Sequence, residues 1–291
     1  MRYSNSPGVI ALSFLCLVSG AEAGKLLVIP SDGSHWTGLK PLVEELGMRG
    51  NQVVVVIPEA SKSMGPENST TLTLSVPYTK KQLQIMVQAN LEGLMSQDAS
   101  NALTRAWRYF NSLRVLRSYI SRACESLLMN KELMQILKNW RFNAILTDPF
   151  EPAGVIVGEY LDIPDIYTLI ALPCMVDFEA SKCLHPVSYV RMRFTHHIDQ
   201  MTLAERTVNF LRSVFEPMAC EFLYSDVNKL ASRYLKKETT ITELMSKASL
   251  WLMIFDFAFE FPRPVMPNMV MTGALKCEKL EPLPSWRYSQ L

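Results

Sequence analysis

His35 follows a run of apolar residues that is typical of a buried strand. Residues 26–29 (LLVI) are consecutive and apolar, which suits a parallel strand covered on both faces. The polar turn of residues 31–34 then brings His35 to the carboxyl end of that strand, where open α/β sheets bind their ligands. Because histidine is well suited to take a proton near neutral pH, the sequence predicts a general base at the first crevice of the sheet.

Asp148 is the candidate partner of that histidine. It directly follows residues 142–147, the predicted fourth strand, and in the common doubly wound order the fourth strand lies beside the first. The topology therefore predicts that Asp148 and His35 share a crevice although 113 positions separate them. A carboxylate there would fix the imidazole tautomer and stabilise the imidazolium, with a substrate hydroxyl as nucleophile. A plainer interpretation also fits: an aspartate that caps the next helix and a histidine that fills a turn.

The elements that must hold these two residues alternate between strands and helices. Strands are predicted over residues 25–30, 52–57, 70–76, 142–147, 165–170, 250–255 and 269–272. Helices are predicted over residues 38–49, 80–95, 101–139, 154–160, 202–212, 220–234 and 240–247. Such alternation predicts an α/β fold with a Rossmann-like, doubly wound parallel sheet.

The composition is that of an ordinary globular protein. The 291 residues are 48% hydrophobic and 20% charged, enough chain for one large domain or two small ones. The net charge of +1 argues against a nucleic-acid partner. Of the six cysteines, Cys16 lies in the N-terminal apolar segment and the other five show no metal spacing. One or two disulfides, or buried free thiols, are therefore expected.

Two patterns that could suggest a bound cofactor or metal are weak. Gly33 and Gly38 have the spacing of a phosphate-binding loop, but Leu39 and Lys40 follow where lysine and a hydroxyl residue are required, and no dinucleotide fingerprint follows the first strand. The adjacent histidines of residues 196–197, near an aspartate at 199, would point in different directions, so a solvated surface pair is favoured. We expect this chain to bind neither a cofactor nor a metal itself.

The N-terminus indicates the secretory pathway. Arg2, the apolar residues 9–18 and the small residues of Ala21-Glu22-Ala23 form a signal-peptide pattern over residues 1–23. The mature chain is then expected to begin near Gly24 in the endoplasmic reticulum lumen, where Asn68-Ser69-Thr70 can accept a glycan. No second apolar segment reaches membrane-spanning length, so the mature chain is expected to be soluble or peripheral, with no transmembrane helix.

Several longer motifs resemble one family. The signal peptide, KLLVIPSDGSHW (residues 25–36), LTDPF (146–150), HPVSYV (185–190) and EFPRPVMPNMV (260–270) are similar to segments of the vertebrate UDP-glucuronosyltransferases, most of all the first subfamily. The resemblance covers about residues 10 to 282. It implies the N-terminal half of a GT-B glycosyltransferase over residues 24–275, which binds a small lipophilic acceptor such as a phenol, steroid, bilirubin or drug. In this family His35 corresponds to the catalytic base and Asp148 to its partner carboxylate.

The resemblance also implies a part that these residues do not contain. In the family a C-terminal domain binds the co-substrate UDP-glucuronic acid, and a membrane-spanning helix and a short basic tail follow. Residues 276–291 are expected to be a boundary segment with a divergent tail, and the donor domain is expected to be absent. Without it, donor and acceptor cannot be brought together, an effect worth up to roughly 7–11 kcal/mol of barrier. The chain alone is therefore expected to be inactive as a transferase.

Three functional hypotheses from different classes follow. The chain is a glucuronosyltransferase by lineage, a passive lumenal binder of lipophilic molecules, or a regulatory interaction module that docks on full-length relatives, in a homo- or hetero-oligomer, or on a separate C-terminal half. The family is membrane-associated, so contact with the endoplasmic reticulum membrane surface is expected in each case. Titration with UDP-glucuronic acid discriminates the first hypothesis from the others.

Overall fold

The computed structural model describes residues 23–61, 63, 69–85, 88, 102–170, 172–192, 195, 197–198, 200–255 and 262–273. Residues 1–22 of the predicted signal peptide, the glycan acceptor Asn68 and the predicted tail of residues 276–291 lie outside this range.

Seven parallel strands form one sheet in the described part of the chain. They are β1 (Lys25–Ile29), β2 (Gln52–Pro58), β3 (Thr70–Leu74), β4 (Ala144–Thr147), β5 (Asp165–Leu169), β6 (Leu250–Met253) and β7 (Met269–Met271). The strand order is β3-β2-β1-β4-β5-β6-β7, and every neighbouring pair is parallel. This is the Rossmann-type order, with its switch point between β1 and β4. The predicted α/β fold with a doubly wound parallel sheet is confirmed.

The described helices lie between β1 and β2, between β3 and β4, between β4 and β5, and between β5 and β6. They are α1 (Ser34–Met48), α2 (Ala102–Met129), α3 (Lys131–Trp140), α4 (Ala153–Leu161), α5 (Val176–Ser181), α6 (Leu203–Leu235) and α7 (Ile241–Met245), with a 3₁₀ turn at Pro173–Met175. Residues 80–85 are also helical. Among the described residues, no helix combines the length and the apolarity that a membrane crossing requires.

The sheet is covered on both faces, as the continuous apolar run of β1 predicted. Successive residues of β1 enter different cores, and both Leu27 and Val28 are fully buried. Val28 belongs to the smaller core, which contains Trp36 and Leu39 of α1. Leu27 belongs to the larger core, which extends through α2, α3, α4 and α6. The switch point is therefore held from both sides of the sheet.

The largest differences between predicted and observed helices occur at three places. Helix α1 begins at Ser34 and not at residue 38, because Gly33 at φ 77° makes the turn and its carbonyl accepts the Thr37 N–H at 3.0 Å. The predicted helix over 101–139 is interrupted at Asn130, whose side chain caps α3 by accepting the Leu133 N–H at 3.0 Å. The two predicted helices over 202–212 and 220–234 form the single helix α6, which continues through Pro217.

One disulfide connects two of the helical elements. Cys174 in the 3₁₀ turn is bonded to Cys220 of α6, and their Cα atoms lie 5.5 Å apart. Cys124 and Cys183 are buried free thiols. One bridge together with buried thiols agrees with the sequence expectation for the described cysteines.

Candidate active site

His35 lies in the first turn of α1, directly beyond the carboxyl end of β1. The chain leaves β1 at Ile29 and turns through Gly33, whose positive φ a glycine adopts without a steric penalty. The ring of His35 lies against that of Phe150, with centroids 5.0 Å apart. These contacts place the imidazole at the switch point of the sheet.

Asp148 reaches the same point from β4. Strands β4 and β1 pair so that Thr147 lies opposite Ile29, and the Thr147 hydroxyl donates to the Ile29 carbonyl at 2.7 Å. The next residue, Asp148, uses Oδ1 to accept the Phe150 N–H at 2.9 Å. Its side chain is only 3% exposed. The backbone pairing and this turn therefore fix the direction of the carboxylate.

The structure brings the two predicted residues into direct contact. Nδ1 of His35 lies 2.5 Å from Oδ2 of Asp148. Burial alone would lower the pKa of His35, but the hydrogen bond to Asp148 and the charges of Asp148 and Glu151 outweigh it, so the pKa is raised above its ordinary value of 6.5. The His35 side chain remains 16% exposed, so part of the ring is accessible. An imidazole held by a buried carboxylate in this way is arranged to accept a proton from a bound hydroxyl group.

A second carboxyl group, Glu151, lies next to this pair and was not singled out in the sequence. The Tyr119 hydroxyl of α2 donates to Glu151 Oε1 at 2.8 Å, and the rings of Tyr119 and Tyr78 lie 5.7 Å apart. Burial raises the pKa of Glu151 to about 7, and the charge of Asp148 adds to this effect while the Tyr119 hydrogen bond and His35 oppose it. The sequence signal that could have identified Glu151 is its position three residues after Asp148, in the same turn.

A small cavity lies beside the site, at the carboxyl ends of β1, β2 and β3. Its walls are apolar side chains of these strands and of α2, with Glu151 and Tyr78 as the polar groups. The free volume is about 20 Å³, which is room for a single water-sized group and too little for an aromatic ring.

The described side chains do not form a metal site. Within the described ranges, no three side chains of histidine, cysteine, aspartate or glutamate come close enough to hold an ion together. His197 instead pairs with Glu205 at 3.6 Å, while its neighbour at 196 and the aspartate at 199 are not described.

The fold and the site together define an α/β protein of the Rossmann type whose switch point carries a histidine–aspartate pair. The chain belongs to the family described as UDP-glucoronosyl and UDP-glucosyl transferase, whose family model matches residues 24–290. The resemblance found in the sequence motifs is thereby confirmed, and the chain belongs to a family of glycosyltransferases.

Curated relatives match over nearly the whole chain. UDP-glucuronosyltransferase 1A1 of Rattus norvegicus is 38% identical over 279 residues, which cover 95% of this chain and 52% of the relative. UDP-glucuronosyltransferase 1A1 of Homo sapiens is 36% identical over 278 residues, which cover 94% of this chain and 52% of the relative. UDP-glucuronosyltransferase 1A6 of Homo sapiens is 37% identical over 279 residues, which cover 96% of this chain and 52% of the relative. The chain thus spans about half the length of the curated relatives it matches.

Solved structures resemble the chain more distantly. The glycotransferase of kitacinnamycin aligns with a TM-score of 0.46 and 12% identity, covering 87% of this chain and 52% of that one. CalG4, the calicheamicin glycosyltransferase, aligns with a TM-score of 0.45 and 11% identity, covering 87% and 53%. The assignment of the fold rests on the strand order and the family match, and not on these likenesses.

Proposed function

We propose that residues 24–275 form the acceptor-binding half of a UDP-glucuronosyltransferase, with His35 as the general base. The observation that carries this proposal is the contact between His35 Nδ1 and Asp148 Oδ2 at the switch point of a chain from this family. The co-substrate is UDP-glucuronic acid, and the acceptor is a small lipophilic molecule with a hydroxyl group, such as a phenol, a steroid, bilirubin or a drug.

The proposed reaction is a single displacement with inversion at the sugar. Nδ1 of His35 donates to Asp148, which leaves Nε2 free to accept a proton. Nε2 removes the proton of the acceptor hydroxyl as that oxygen forms a bond to the anomeric carbon of glucuronic acid. The bond from that carbon to the UDP oxygen breaks, and UDP leaves with the electron pair. Asp148 stabilises the imidazolium until its proton passes to solvent.

The donor contacts of this proposal lie in the part of the relatives that the present 291 residues do not cover. Residues 24–291 in isolation therefore bind an acceptor but do not transfer glucuronic acid, because they do not hold UDP-glucuronic acid against the bound acceptor. Proximity of the two substrates accounts for a large part of the barrier reduction in group transfer.

A second candidate function, an interaction module, is favoured by one observation. Apolar side chains are exposed on α6, where Phe215 is 61% and Met218 is 65% exposed, and Trp107 of α2 is 66% exposed. Exposed apolar groups of this kind mark surfaces that contact a membrane or another protein. We propose that this surface lies against the endoplasmic reticulum membrane or a full-length relative, in a homo- or hetero-oligomer in the latter case.

The decisive experiment uses a chimera of residues 1–273 with the C-terminal half of rat UDP-glucuronosyltransferase 1A1. Transfer of glucuronic acid from UDP-glucuronic acid to a panel of phenols is measured for the parent and for His35→Ala. We expect His35→Ala to lower transfer by on the order of 10²–10⁴, because the hydroxyl loses its proton acceptor.

His197→Ala is the matched control, since His197 also pairs with a carboxylate, Glu205, at 3.6 Å. It should retain the parent's activity. If His35→Ala keeps transfer within a few-fold of the parent for every phenol, His35 is not the base. Absence of transfer in the parent chimera, with the fold intact, would contradict the transferase proposal as a whole.

A further inference from the structure

Glu151 is held rigidly beside the His35 site. Its backbone N–H donates to the Asp148 carbonyl at 3.2 Å, so the two carboxyl groups belong to one turn after β4. Its side chain accepts the Tyr119 hydroxyl at 2.8 Å and lines the small apolar cavity. The turn, the hydrogen bond and the cavity wall together fix where its charge lies.

Titratable groups face Glu151 from every element packed around it. They are Tyr119 and Cys124 of α2, Tyr78 of the segment after β3, Asp32 of the turn after β1, Asp148 of its own turn and His35 of α1. Within this set, His35 is the group that can carry a positive charge at neutral pH. The Glu151 carboxylate favours proton uptake by each of these groups, and His35 is the one that becomes positively charged when it takes up a proton.

We propose that Glu151 is a positioning residue of this site, whose carboxylate acts through His35 by stabilising, together with Asp148, the positive charge that the imidazole gains on taking a proton. The inference rests on the proposed function, because it assigns Glu151 a role in the proton transfer at His35. Tyr119 supports the charge by donating to the carboxylate, and the apolar cavity wall limits its screening by water.

The sign of the pH effect follows from the two groups. Above pH 7 Glu151 is a carboxylate and raises the pKa of His35 beyond what Asp148 alone achieves. As the pH falls through about 7, Glu151 takes up a proton and this attraction is lost. A variant that is neutral at every pH should therefore hold the proton of His35 less tightly.

The test is an NMR titration of the histidine ring protons in the chain of residues 24–291. The sequence contains four histidines, and the His35 signal is assigned by its absence from His35→Ala. We expect the His35 midpoint to move to lower pH in Glu151→Gln, which keeps an oxygen for the Tyr119 hydroxyl but has no charge. Glu151→Asp retains the charge and should keep the midpoint close to that of the parent.

Glu159→Gln is the matched control, since Glu159 lies on α4 and pairs with Lys237 and Lys247 away from the site. It should leave the His35 midpoint unchanged. Tyr119→Phe provides a second variant if Glu151→Gln fails to fold. It removes the hydrogen bond that favours the carboxylate, so it should also move the midpoint to lower pH.

Two results would overturn the inference. The first is an unchanged His35 midpoint in Glu151→Gln, or in Tyr119→Phe where that variant replaces it. The second is a midpoint in Glu151→Asp as low as in Glu151→Gln, which would assign the effect to shape and not to charge. Because the titration needs no turnover, its outcome is separate from that of the transferase assay.

Discussion

The two oxygens of the Asp148 carboxylate have different partners. Oδ1 accepts the Phe150 N–H at 2.9 Å, and Oδ2 lies 2.5 Å from His35 Nδ1. The aspartate thus caps its own turn and holds the imidazole at the same time. Of the two interpretations that the sequence left open for Asp148, the pairing with histidine is present, whereas α4 begins after Pro152 without a side-chain cap, so Asp148 does not cap the next helix.

Asp148→Asn tests whether the pairing matters for proton transfer. The asparagine oxygen can still accept the Phe150 N–H, but its amide N–H₂ would then face Nδ1 and favour the tautomer whose Nε2 carries the proton. That Nε2 cannot accept a proton, so we expect transfer in the chimera to fall by on the order of 10²–10⁴. Asp162→Asn makes the same change away from the site, at the C-terminal cap of α4, where the backbone is left-handed, and it should leave transfer unchanged. Equal activity of both variants would show that Asp148 does not orient the base.

The sequence could predict the pair but not all of its surroundings. His35 and Asp148 were placed together because the order of parallel strands brings the carboxyl ends of β1 and β4 to one crevice. Phe150 and Glu151 lie in an irregular turn, where no periodicity says which side chain points inward. Their contacts with His35 and Tyr119 are visible only in three dimensions.

At the scale of elements, α4 must approach β4 closely for Asp148 to be held in place. A Cβ atom on Gly154 would lie 2.0 Å from Oγ1 and 2.6 Å from Cβ of Thr147, closer than packed atoms come. The same Thr147 hydroxyl donates to the Ile29 carbonyl, and this hydrogen bond links β4 to β1. The contact between Gly154 and Thr147 therefore sets both how closely α4 packs against β4 and the geometry of the switch point.

Gly154→Ala should disturb the fold and the site together. The new methyl group must displace Thr147 or push α4 outward, and overpacking of this kind costs about 1–3 kcal/mol. Urea unfolding followed by circular dichroism measures the loss. Gly38→Ala is the control, because its methyl group would meet only the flexible end of Ile170, at 3.3 Å. A Gly154→Ala variant as stable as Gly38→Ala would contradict the close packing.

Element boundaries were less predictable than element order. Two separate helices were predicted over residues 202–212 and 220–234, and Pro217, which lacks a helix N–H donor and crowds the preceding turn, lies in the gap between them. The structure continues α6 through it, and Leu223, Tyr224 and Val227 of the turns after the proline are buried in the larger core. That burial is a tertiary effect that the local pattern does not contain.

For the whole molecule, buried carboxyl groups determine how stability depends on pH. Asp165 is 8% exposed, and burial raises its pKa from 3.8 to about 7, an effect that the hydrogen bond from the Tyr167 hydroxyl at 3.0 Å only partly opposes. The folded state therefore binds a proton that the unfolded state has released between about pH 4 and pH 7. Stability must fall as the pH rises through this window. Burial of Glu151 acts in the same direction.

Asp165→Asn should make the dependence of the free energy of unfolding on pH shallower between about pH 4 and pH 7, as measured by urea unfolding at several pH values. The slope should not vanish, because Glu151 still contributes. Asp226→Asn is the control, because Asp226 affects stability in the opposite direction. The hydrogen bond from Arg117 lowers the pKa of Asp226, so its contribution to the free energy of unfolding is lost only as the pH falls into the acid range. An unchanged slope in Asp165→Asn would mean that this aspartate is not buried as a neutral acid.

The compartment of the whole molecule is tested by its covalent chemistry. The Cys174–Cys220 disulfide closes a separation of 46 residues, and a bridge of this span stabilises a fold by about 2–4 kcal/mol in an oxidising lumen. Material from the secretory pathway should begin near Gly24, carry a glycan on Asn68 that Asn68→Gln removes, and contain this disulfide. Peptide mass spectrometry under non-reducing conditions measures all three. Recovery of the chain from the cytosol with Met1 intact, no glycan and both cysteines reduced would contradict the lumenal location.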